Sequence, residues 1–96
     1  MTDKELIELA AKAAGLHVKV ASNSGRGLKV HGNCNWWNPL TDDGDALRLA
    51  VKLSFIDEGD WPQVTSEIYD HCGGDWFAAT RRAITRAAAQ IGKEME

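Results

Sequence analysis

The sequence predicts an α+β fold, a four-stranded and mostly antiparallel sheet packed with three helices in the order αββαββα. Three observations carry that prediction. Apolar residues recur at helical spacing in three stretches, one near each end and one in the middle. They alternate with polar residues between positions 16 and 31. Helix caps or glycine-bearing turns separate these stretches. At 96 residues, 44% hydrophobic and 26% charged, the chain has the length of a single domain, taken as 1–96, and enough apolar surface for a core without covalent staples.

The first element is a helix over residues 3–14. Thr2 is placed to cap it, Glu5 follows three positions later as in an S/T-x-x-E capping box, and Gly15 stands where a helix stop belongs. Leu6, Leu9, Ala10 and Ala13 form its apolar stripe. Leu16, Val18 and Val20 then alternate with His17 and Lys19. After Asn23-Ser24-Gly25-Arg26-Gly27 the pattern resumes with Leu28 and Val30 against Lys29 and His31, which predicts a β-hairpin.

Asn38-Pro39 disfavours helical geometry at Asn38, and Thr41 offers its hydroxyl to the free N–H groups of a helix over 42–53. Asp42, Asp43 and Asp45 fall in the first turn, where each carboxylate gains about 0.3–1 kcal/mol from the positive end of the helix dipole. Ala46, Leu47, Ala50, Val51 and Leu53 are its predicted buried stripe, with Arg48 and Lys52 on the solvated side. Residues 53–56 and 64–69 are predicted as the strands of a second hairpin, with Pro62 tolerated only at a strand start or an edge. Residues 70–74 read as a turn. Asp75 then caps a last helix over 76–92, whose face is Phe77, Ile84, Ala88 and Ile91 with Ala83 and Ala87 beside them.

Composition limits the function classes. A formal net charge of −3 argues against a dedicated non-specific nucleic-acid binder, which needs a basic excess to displace counterions from phosphates. No apolar stretch approaches the ~20 residues that a bilayer crossing needs. The opening Met1-Thr2-Asp3-Lys4-Glu5 lacks the apolar region of a secretory signal, so Cys34 and Cys72 are expected as free thiols in a reducing cytoplasm.

No constellation for catalysis, a metal or a cofactor stands out. His31 and Cys34 at H-x-x-C spacing, with His71 and Cys72, make a four-ligand zinc set on paper, but adjacent residues such as His71 and Cys72 rarely point at one ion. A nucleophilic cysteine has no group to orient a neighbouring imidazole. Gly25-Arg26-Gly27 lacks the full glycine pattern and the lysine of a phosphate loop, and Asp42, Asp43 and Asp45 lack the order of a calcium loop. The expectation is no enzyme, no metal and no cofactor. Trp36, Trp37, Trp61 and Trp76 sit at element boundaries. In an extended chain Trp37 would cover the core and leave Trp36 partly exposed. Trp36 and Trp61 are therefore candidate partner contacts, as are Arg82, Arg86 and Lys93, which form a basic stripe on the last helix; amphipathic packing and a solvated face are the plainer alternatives.

The run from Trp37-Asn38-Pro39-Leu40-Thr41-Asp42-Asp43-Gly44-Asp45 through Ala46-Leu47-Arg48-Leu49-Ala50-Val51-Lys52-Leu53 resembles the hallmark of the phage ABA-sandwich domain, a family of small bacteriophage proteins. Residues 3–15 and 78–89 are similar to the segments that bracket it there, while both predicted hairpins remain unmatched. The resemblance implies a sheet between helix layers, that is a three-layer α/β/α sandwich, an origin in a phage or prophage, and hence the host bacterial cytoplasm. It supplies no catalytic residues. Two functions of different class follow. The preferred one is a non-enzymatic accessory protein that binds a host or phage protein, for example to inhibit an antiviral defence such as CRISPR. The alternative is a small nucleic-acid-associated regulator that uses Arg82, Arg86 and Lys93 with stacking from an exposed tryptophan. A symmetric homodimer is the base-rate expectation for so small a domain.

Overall fold

The computed structural model describes residues 2–16, 18–21, 27–30, 36–55 and 62–95. Their elements are α1 (Asp3–Ala13), β1 (Val18–Ala21), β2 (Leu28–Val30), β3 (Trp36–Trp37), α2 (Asp43–Lys52), α3 (Ser66–His71) and α4 (Trp76–Glu94). The expected fold class is overturned. The described chain is predominantly helical, with four helices, and its strands form only a short three-stranded antiparallel ribbon of order β1-β2-β3. Neither the order αββαββα nor a sheet sandwiched between helix layers is present among the described residues.

Most of the error lies in the predicted second hairpin. Its β-branched and aromatic run, Val64 to Tyr69, looks like a strand, yet the Thr65 hydroxyl accepts the Ile68 N–H at 3.2 Å and starts α3, with Glu67 in the first turn. Residues 53–55 are likewise not a strand but the stop of α2. Residues 56–61, the rest of that hairpin, lie outside the described residues.

Three helices stop in the same way. After α1 the Leu16 N–H donates to the Ala11 carbonyl and the Gly15 N–H to that of Lys12. After α2 the Phe55 and Ser54 N–H groups reach Ala50 and Val51, and after α3 those of Gly74 and Gly73 reach Tyr69 and Asp70. This paired pattern is the Schellman motif, and it requires a left-handed residue at its centre. Glycine supplies that residue twice, at Gly15 (φ 72) and Gly73 (φ 66), but after α2 the position is Ser54, at φ 61. A side chain there works against the Cβ clash that makes this region costly.

The main seam is α1 against α4. Asp3 meets Arg82 near the start of each helix and Leu9 meets Gly92 near the end, so the two run parallel. Ala10 and Ala11 of α1, Ala14 at its C-cap and Ala88 of α4 are buried in one cluster, with Ala89 buried beside them. Side chains this small let the backbones approach closely, and a Cβ added at Gly92 would run into the Leu9 carbonyl. Ile7, Leu28, Trp37, Leu49, Phe55 and Ile84 fill the main core around the seam, while Ile68, Ala79 and Ala83 form a second cluster beneath α3.

Two apolar stripes are corrected. On α2 the buried face is Asp45, Ala46, Leu49 and Ala50, and the expected Leu47 and Val51 are exposed. The phase is set by polar groups: buried Asp45 accepts the Asn38 N–H at 3.0 Å, and turning Leu47 inward would swing this carboxylate out. Asp42, not Thr41, caps the helix, accepting from the Gly44 and Asp45 N–H groups at 2.8 and 3.2 Å. On α4 the expected core residue Phe77 is exposed, Ala83, Ile84 and Ala88 are buried as expected, and Ala79 and Thr85 are buried besides.

Candidate interaction surface

The segment from Trp36 to Asp45 is a structural pin. Trp37 is buried and Trp36 half-buried, the division that alternation along a strand predicts. The Asn38 side-chain oxygen accepts the Leu40 N–H at 3.0 Å, and its carbonyl accepts those of Thr41 and Asp42. Arg81, which sequence reasoning passed over, locks this turn to α4: its Nε donates to the Leu40 carbonyl at 2.9 Å and its Nη1 to Asp43 at 2.6 Å. Together with the Asp45 to Arg48 pair, the three aspartates are thus taken up by caps and ion pairs.

Of the predicted contact residues, Arg82 and Arg86 line one cleft, beside Leu6, Ile68 and His71. Arg82, only 15% exposed along its side chain, is tied to Asp3 at 2.8 Å. Arg86 is half exposed and loosely opposed by Glu67, and exposed Lys93 lies seven residues further along α4, about 10 Å away at 1.5 Å per residue. Trp61 lies outside the described residues, as do His31 and Cys34 of the paper zinc set. Of that set, His71 is exposed at the end of α3, and Cys72 is half-buried against the Ile68, Ala79 and Ala83 cluster, a packing position. Among the described residues no group of three or more His, Cys, Asp or Glu side chains is placed to hold a metal ion. Nor is any described helix long and apolar enough to cross a membrane.

A different aromatic surface is present at the start of α4. Asp75 caps the helix by accepting from the Phe77 and Ala78 N–H groups at 2.9 and 3.3 Å, which fixes Trp76 and Phe77 in the first turn. There Trp76 is 59% and Phe77 73% exposed. The Tyr69 ring of α3 packs on Trp76 with centroids 4.5 Å apart and planes tilted by 42°. Tyr69 meets Trp76 and Glu67 faces Arg86, so α3 and α4 run in opposite directions from the Gly73-Gly74 turn, with Tyr69, Trp76 and Phe77 near that turn. A usable signal was in the sequence: side chains directly after an N-cap stand at a helix tip, where burial is hard to achieve.

Compared with protein-family models, with curated proteins and with solved structures, the chain matches none.

Proposed function

We propose that this chain is a non-enzymatic accessory protein of a phage or prophage that acts in the host cytoplasm by binding another protein, host or viral, through the Tyr69, Trp76 and Phe77 end. The observation that carries the proposal is the pair of exposed aromatic residues at the tip of α4. Large rings left in water are costly to keep, and they are the side chains that dominate binding energy once a partner covers them. The phage origin rests on the resemblance of residues 37–53; inhibition of a defence such as CRISPR is one form that such binding takes. Nucleic-acid binding by the last helix is less favoured, because Arg82 is committed to Asp3 and the chain carries a net charge of −3.

The test is capture from bacterial lysate with tagged wild type beside the Phe77→Ser variant, followed by reconstitution of the recovered pair from purified proteins. Direct binding that weakens at least tenfold in the variant is expected. Binding that the variant leaves unchanged, or no partner above the untagged control, overturns the proposal. Steeply salt-dependent binding to a DNA or RNA duplex would favour the alternative instead.

A further inference from the structure

A cleft of about 250 Å³ opens between α1, α3 and α4, lined by Leu6, Glu67, Ile68, His71, Arg82 and Arg86. Its floor is apolar, since Leu6 and Ile68 are both buried. Its α4 wall carries two guanidinium groups at i and i+4, which places them on one face. The two differ in how their charge is used. Arg82 donates to Asp3 at 2.8 Å from a largely buried position. Arg86 is 47% exposed, and Glu67 stands 4.0 Å from it, at the outer limit of an ion pair and too far for a hydrogen bond. The Arg86 fork is therefore still able to take two oxygens of one carboxylate or phosphate, the bidentate geometry for which arginine is best suited. His71 of α3 also lines the cleft and carries an imidazole able to donate to an anion.

We propose that this cleft binds an oxyanion, a carboxylate or phosphate group, on Arg86 with His71 as a second donor, and with any short apolar stem of the ligand resting on Leu6 and Ile68. Glu67 swings away as the anion enters, which its 84% exposed side chain permits. The group arrives either as a free small anion or as an acidic side chain of a protein partner. The second source rests on the protein-binding function above; the first does not.

Titration of the isotopically labelled protein by NMR tests this with three probes: sodium phosphate, sodium benzoate and a short blocked glutamate peptide, each against sodium chloride of equal ionic strength. The expected result is a saturable shift confined to residues near 67, 71, 82 and 86. Arg86→Gln should weaken it at least tenfold with helical circular dichroism unchanged, and His71→Gln should weaken it less. Saturation by phosphate or benzoate alone assigns a small-molecule anion, and tighter saturation by the peptide assigns a partner's side chain. Shifts that rise linearly, that chloride reproduces, or that survive in Arg86→Gln overturn the proposal. Because no partner is used, such a failure leaves the protein-binding function standing.

Discussion

The two ends of α4 solve opposite problems. Toward its C-terminal end, Ala88, Ala89 and Gly92 are buried against α1, and the helices come so close that a single methyl at position 92 has no room. At its N-terminal end the same helix holds Trp76 and Phe77 out in water. Along the seam the small residues do the close packing, while the large residues of the tip stay exposed. Burial at the α1–α4 seam is achieved by close backbone approach, and the aromatic tip lies outside that seam, available to a partner.

The comparison breaks most sharply at the seam. Gly92→Ala should force α1 and α4 apart and cost roughly 2–3 kcal/mol, the upper part of the range for overpacking, seen as an early urea midpoint with an unchanged slope. A cost below about 0.5 kcal/mol would mean that the seam is looser than described. Next comes the pin beside it. Asp45→Ala leaves the buried Asn38 N–H without its acceptor and should cost about 1–3 kcal/mol in the same measurement. Smaller still, and opposite in sign, Ser54→Gly should stabilise by about 1 kcal/mol, because it gives the stop after α2 the glycine that the stops after α1 and α3 already have. At the free end, Phe77→Ser should change stability by under about 0.5 kcal/mol while weakening partner binding, the signature of a residue kept for contact and not for folding. A large loss of stability there would erase the contrast between the two ends.

Much of the helical frame was legible in the sequence because caps are short-range signals. Thr2, Asp75 and Gly15 each act through groups within five residues, so spacing alone finds them. α3 carried the same kind of signal in Thr65 and Glu67, but the strand propensity of Val64, Ile68 and Tyr69 obscured it; Ile68 is buried by packing on α4, which no local pattern records. Leu47 and Val51 misled for a related reason. The phase of α2 follows from Asp45 bonding to Asn38 seven residues earlier, and hydropathy assigns a carboxylate to the surface. At the candidate surface, Trp36 was placed correctly as half-buried, whereas the arginine stripe looked free only because Asp3 lies 79 residues from Arg82.

That last separation has a consequence in time. The chain emerges from the ribosome in order, so α1 is made long before the face of α4 that covers it, and the ribbon and α2 also precede their neighbour Ile84. Until the residues up to Gly92 are available, Leu6, Ile7 and the alanines of α1 have no parallel helix to lie against. The contacts that bury α1 are therefore the last to become available, and the domain's first helix is held by its last.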